Sequence, residues 1–180
     1  MLQLVIKPRE EWNETTQEFV YTDGKTLQLE HSLVSISKWE AKWCKPFLSK
    51  DQKTYEETID YIRCMTLTQN VDPKIYSLLS RENVEQVNAY IEAPMTATKV
   101  PDNTSGPKSR ETITSELIYY WMISYQIPFE CQKWHLNRLL TLIRVCGFKN
   151  TPAKKHSKRD LMSRNAALNA ARKQQMNTKG

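Results

Sequence analysis

The net positive charge of this chain lies at one end. Residues 149–180 carry nine Lys or Arg against a single acid, Asp160, a net +8. Residues 1–148 carry 17 basic and 19 acidic side chains, a net −2. A segment that basic, with few large apolar residues, cannot build a core of its own. The 180 residues are therefore expected to form one domain, 1–148, followed by a basic linker and C-terminal helix, 149–180, that is expected to be mobile. Within the domain, Leu, Ile, Val and aromatic residues are dense between 27 and 148, enough to bury a core.

The first 31 residues read as β structure. Leu2, Leu4 and Ile6 alternate with Gln3, Val5 and Lys7, and Phe19 and Tyr21 lead to Asp23-Gly24 and then to Leu27 and Leu29. Asp-Gly between alternating segments signals a two-residue hairpin of type I′, with positive φ at both central positions. Residues 8–16 are polar and read as a linker, so three short strands are expected.

From residue 37 to 148 the period becomes helical. Ser37-Lys-Trp-Glu40 and Thr54-Tyr-Glu-Glu57 both fit the capping box, in which a hydroxyl and a carboxylate satisfy free N–H groups at a helix start. Pro46 is expected to end the first helix. Asp72-Pro73 opens a short helix, and Ser80 caps the next one. Residues 93–110 hold Pro94, Pro101, Gly106 and Pro107 and read as a long irregular stretch. Residues 112–126 are apolar nearly all round, which predicts a central helix. After Pro128, a helix is expected from Phe129 to Cys146, capped by Gly147 in the left-handed region. The predicted fold is thus α+β and mostly α: an N-terminal hairpin or three short strands packed on a helical domain, with a basic C-terminal helical arm.

Signatures of catalysis are missing from this sequence. It has no G-x-x-x-x-G-K-[ST], no G-x-G-x-x-G and no G-x-S-x-G. Cys131 and His135 are four apart, but zinc needs further ligands at matching spacing; the expectation is that Cys131 is buried and His135 lies at the helix flank. Cys44, Cys64, Cys131 and Cys146 form no C-x-x-C and read as small core residues or free thiols. Glu56-Glu57 sits in a helix's first turn, where it favours the dipole. Trp39, Trp121 and Trp134 fall at helical spacing among Ile and Leu and read as core, whereas Trp12, in a polar stretch, reads as exposed. No enzyme, cofactor or metal is expected. No apolar run approaches the roughly 20 residues of a membrane span, and the start lacks a basic n-region and an A-x-A-like site. No membrane partner is expected, and the location expected is intracellular.

The arm is the candidate site. Lys154, Lys155, Lys158, Arg159, Leu161, Arg164, Leu168 and Arg172 combine charge with apolar residues. Leu161, Met162, Ala166, Ala167, Leu168, Ala170 and Ala171 read as a small-residue stripe on a helix beginning near Ser157. A helix of this kind is marginal alone in water. Charge would suit nucleic-acid phosphates, or simply a solvated tail. The apolar residues favour a protein partner on which the arm orders.

Whole phrases carry a resemblance. His31-Ser-Leu-Val-Ser-Ile-Ser-Lys-Trp-Glu40 with Pro46-Phe-Leu48, Tyr61-Ile-Arg-Cys-Met65, Ile127-Pro-Phe-Glu-Cys-Gln-Lys-Trp-His-Leu-Asn-Arg-Leu-Leu140 and Ser163-Arg-Asn-Ala-Ala-Leu-Asn-Ala-Ala-Arg172 resemble the tail assembly chaperones of siphophages. The resemblance implies a non-enzymatic protein of the host cell cytoplasm. It implies that the chain holds the tape measure protein soluble while tail tube protein polymerises round it. It also implies that a frameshift-extended form is made in many relatives. Self-association is a further partner reading. The alternatives are a nucleic-acid-binding protein using the basic arm, and a structural head–tail component of the virion.

Overall fold

The computed structural model describes residues 1–13, 17–99, 112–150 and 158–176. The fold is mostly helical α+β: short antiparallel strands in two two-stranded sheets, then helices. The chain divides into two compact units, Met1–Phe148 and Lys149–Gly180.

Four strands rather than three open the chain. β1 (Leu2–Ile6) pairs with β4 (Lys25–Leu29), and β2 (Arg9–Asn13) pairs with β3 (Glu18–Thr22). The register passes from Ile6↔Lys25 to Arg9↔Thr22 without slipping, so the four strands form one long hairpin with a break in its middle. Lys7 and Pro8 lie on one side of that break, Asp23 and Gly24 on the other. Pro8 has no N–H to donate to a ladder.

The reading of Asp23-Gly24 as a type I′ turn is therefore wrong. Neither residue has positive φ, and β3 and β4 are not partners. Gly24 is there for space: a Cβ would stand 2.6 Å from the Ile6 carbonyl oxygen and 2.8 Å from the Pro8 ring. The polar linker read over 8–16 is also corrected, because residues 9–13 are paired strand. Ladder pairing with β3 holds that segment, and its composition offers no apolar alternation to read. On β1 and β4, Leu4, Ile6, Leu27 and Leu29 are fully buried on one face. Each such burial is worth about 1.5–3 kcal/mol, and these four side chains anchor the hairpin to the helices.

The first helix, α1 (Leu33–Trp43), is capped five residues before Ser37, the start of its apparent capping box. Ser32 is the cap: Ser35 N donates to Ser32 Oγ (3.3 Å) and Ser32 N to Ser35 Oγ (3.0 Å). Ser37 and Glu40 lie inside the helix, and the Glu40 carboxylate is engaged elsewhere. The helix ends at Cys44, in the left-handed region at φ 51°, ahead of Pro46. Thr54 caps α2 (Tyr55–Met65) with the expected Glu57 reciprocal bond. Asp72 caps a 3-10 turn, Pro73–Leu78, and Ser80 caps α3 (Arg81–Glu92) with Asn83.

α4 (Ser115–Ser124) is capped by Thr114. The long helix expected from Phe129 is broken. A 3-10 turn, Phe129–Lys133, is followed by extended backbone at Trp134, and α5 (Leu136–Asn150) begins afresh. The break comes from tertiary pairing: Ser32 and His135 form a β-bridge, and Leu136 N donates to His31 O at 2.7 Å. Gly147 is not a C-cap, since α5 runs on to Asn150 and no glycine has positive φ among the described residues. Its missing Cβ makes room for Tyr125, whose hydroxyl would stand 3.0 Å away. α6 (Lys158–Met176) lies in the second unit.

Candidate protein-binding surface

Catalysis would need polar groups held inside the fold with bonding capacity to offer a substrate. His31, Tyr61, His135, Tyr90 and Glu30 form a chain of contacts beneath α1 and α5. Tyr61 OH lies 2.5 Å from His31 Nδ1, and the His31 and His135 rings meet edge to face at 5.1 Å. His135 Nδ1 accepts from Asn137 N (3.3 Å), which leaves its Nε2–H to donate to Tyr90 O (3.0 Å). Tyr90 OH donates to Glu30 at 2.8 Å. Burial first, and then the neighbouring His135, push the His31 pKa down to about 3. His31 is thus neutral at pH 7, and its Nδ1 accepts a hydrogen bond from the Tyr61 hydroxyl. Burial pushes the Tyr61 hydroxyl up, so it stays protonated. These groups direct their hydrogen bonds to one another and to backbone. His135 is buried at the start of α5 and not at a helix flank as expected; its backbone pairing with Ser32 pulls it inward. Cys131 is buried, as expected.

The surface of α4 is of a different kind. Its inner face, Ser115, Ile118 and Met122, is fully buried. The expectation of a central helix fails on the other side, where Tyr120 and Ile123 are each 62% exposed. Tyr119 beside them turns toward the 3-10 turn: its hydroxyl donates to Gln132 (2.9 Å), and its ring stands 6.5 Å from Phe129, itself half exposed. A helix apolar all round but covered on one side presents apolar surface to solvent. On a third side, Ile113, Trp121 and Tyr125 meet Leu140, Ile143, Arg144 and Gly147 of the α5 side in an apolar groove of about 280 Å³. Gly147 deepens this groove, with no side chain to fill it.

Glu40 sets the position of α4. One carboxylate oxygen accepts from Phe47 N (2.7 Å) and the other from Ser115 N (2.8 Å), at the first turn of α4. A carboxylate at a helix N-terminus also complements the dipole. In the sequence Glu40 reads as half of a cap for α1; in the fold it serves α4 instead.

In the second unit, α6 exposes every side chain described. Arg159, Leu161, Arg164, Leu168 and Arg172 are all exposed, Lys158 opens the helix, and Lys154 and Lys155 lie outside the described residues. At 100° per residue, Leu161, Arg164, Leu168 and Arg172 share one face, and Arg159 lies away from it. The apolar residues are spread round the helix, so the expected small-residue stripe does not form a face of its own. Trp12 is paired with Phe19 in the β2–β3 ladder, and its side chain lies outside the described set, as do Ser157 and most of the 93–110 stretch. No helix among the described residues is long and apolar enough to cross a membrane. No protein-family model, curated protein or solved structure matches the chain.

Proposed function

We propose that this protein is a non-enzymatic tail assembly chaperone, which holds the tape measure protein soluble and promotes tail tube assembly in the host cell cytoplasm. The observation that carries the binding half of this reading is the bare outer face of α4, with Tyr120 and Ile123 exposed beside the Trp121–Tyr125 groove. An amphipathic client helix would lay its apolar residues along such a surface at i, i+3, i+4 and i+7 spacing. Large aromatic side chains are the usual anchors of such contacts. The exposed α6, with Leu161, Arg164, Leu168 and Arg172 on one face, supplies a second contact of opposite character, suited to an acidic or mixed client surface. The identity of the client comes from the sequence resemblance.

The test is co-expression with the tape measure protein that this reading expects to be encoded beside it. The wild-type chain should keep the client in the soluble fraction and co-purify with it. Tyr120→Glu with Ile123→Glu, both on exposed positions, should abolish that while leaving circular dichroism unchanged. Retention of the client by the double variant would refute the role of α4. The basic helix also favours a second reading, nucleic-acid binding. That reading predicts affinity for arbitrary DNA that falls steeply between about 50 and 200 mM salt, through counterion release, and that is lost on ending the chain at Phe148. Mass spectrometry of purified particles separates a chaperone, absent from mature virions, from a head–tail structural component, which would be present.

A further inference from the structure

We propose that two copies of this chain join edge to edge through β3, antiparallel about Val20, to make a four-stranded sheet. Strand edges carry this independently of any client, beginning with those already occupied. The outer edge of β4 is covered by residues 65–68: Leu67 N donates to Gln28 O (2.8 Å), Glu30 N to Met65 O (2.9 Å), and Gln28 N to Thr68 Oγ1 (2.9 Å). β3 continues the same line of the hairpin past the Asp23-Gly24 break, beyond that cover. Among the described residues no strand but β2 pairs with it, and β2–β3 is a sheet of two strands. A strand edge with no further strand beside it among the described residues is a template for another. A two-stranded ribbon is also marginal by itself, and further strands are what stabilise it.

The residues select the partner. β3 reads Glu18-Phe19-Val20-Tyr21-Thr22. Paired with a second β3 about Val20, all five positions are used. Glu18 falls opposite Thr22 of the copy and Phe19 opposite Tyr21, with no like charges facing. Phe19 and Tyr21 are 65% and 63% exposed and, two apart, share a face of the ribbon. The two-fold axis therefore sets up two Phe–Tyr cross-strand pairs on that face. The β2 edge is unsuited. It reads Arg9-Glu10-Glu11-Trp12-Asn13, and self-pairing about Glu11 would set two carboxylates against each other. Those charges also blunt the outer edges of the four-stranded sheet, so the assembly closes as a dimer.

Sedimentation velocity on the full chain from about 1 to 100 μM, the range in which micromolar association is read, tests this. The wild type should shift from monomer to dimer within it. Two double variants separate β3 pairing from other causes. In both, Tyr21→Lys places a lysine opposite Glu10 of its own ribbon. Combined with Phe19→Lys, it sets two introduced lysines against each other at both cross-strand pairs of the dimer, and association should weaken by about tenfold or more. Combined with Phe19→Glu, it sets an introduced glutamate against an introduced lysine at the same two pairs, and the dimer should return. A wild type that stays monomeric, a Phe19→Lys/Tyr21→Lys variant that dimerises like wild type, or equal loss in both variants would overturn the proposal. Because no client is present, the result stands apart from the test of chaperone activity.

Discussion

Replacing Glu40 with alanine should strip α4 of its anchor. The carboxylate is buried, accepting from Phe47 N at 2.7 Å and Ser115 N at 2.8 Å. Hydrogen bonds to a charged acceptor contribute about 1.5–3 kcal/mol each. Their joint loss should cost about 3–6 kcal/mol, because two backbone donors are left without the partner they now have. A domain of this size is typically stable by about 5–15 kcal/mol, so Glu40→Ala should remain folded but marginal. Glu40→Gln keeps one accepting oxygen and turns an amide N–H₂ toward the other donor, so its loss should fall between. Urea denaturation followed by tryptophan fluorescence gives both values by linear extrapolation, and Trp39, buried on the same helix, is a suitable reporter. Hydrogen exchange supplies the local test, since the amides of Phe47 and Ser115 should lose more protection than those of α2. A Glu40→Ala loss below about 1 kcal/mol, the scale of one ordinary neutral hydrogen bond, would show that the carboxylate does not tie α1 to α4.

Gly24→Ala should destabilise by about 1–3 kcal/mol, as overpacking does, because its Cβ meets backbone at 2.6 Å, while Gly147→Ala should be neutral or stabilising by up to about 1 kcal/mol, since only the Tyr125 hydroxyl must yield; thermal melts of the two side by side check the contrast. His31 has a folded pKa of about 3 against an ordinary 6.5, so the unfolded chain takes up a proton below about pH 6.5 that the folded chain refuses until about pH 3. The stability that neutral His31 contributes is full above that window and falls as pH drops through it, and His31→Gln should flatten the stability–pH slope between about pH 6.5 and 4. Asn137 donates through Nδ2 to both Ile91 O and Ala93 O at the end of α3; Asn137→Ala should cost about 1–3 kcal/mol, read by denaturant midpoint.

Elements that depend on neighbouring residues are legible in the sequence, and those decided by distant pairing are not. Thr54–Glu57 and Ser80 mark helix starts because caps act within three residues. Ser37–Glu40 has the same pattern and misleads, because Glu40 is consumed by Phe47 and Ser115, the latter 75 positions away. The break at Trp134-His135 leaves no local trace, since Ser32 and His31 impose it from a distant part of the sequence. β2 escapes a sequence reading for the same reason: Arg9-Glu10-Glu11 gives no alternation, and only its ladder to β3 makes it a strand. Of the site, the charge of the arm is plain from composition. The bare side of α4 is not, because an all-round apolar pattern in sequence cannot say how much of it the fold covers.

That uncovered side has a physical consequence for how the protein can act. Tyr120 and Ile123 lie on a helix whose other face is locked by Ile118 and Met122 and whose first turn is bonded to Glu40. The apolar surface is therefore presented on a rigid element, and binding there carries little cost of ordering it. α6 is the opposite case: with no described side chain buried, it draws on helix propensity alone, and a partner that fixes it bears that ordering entropy. On the chaperone reading proposed above, contacts at α4 should set which client surface is accepted, through shape and apolar match. Contacts at α6 should speed encounter and respond to salt. Raising ionic strength should therefore slow association far more than it accelerates release, and the Tyr120→Glu/Ile123→Glu variant should do the reverse. Stopped-flow measurement of both rate constants on the client complex would decide it, and a salt effect confined to the off-rate would overturn this division of labour.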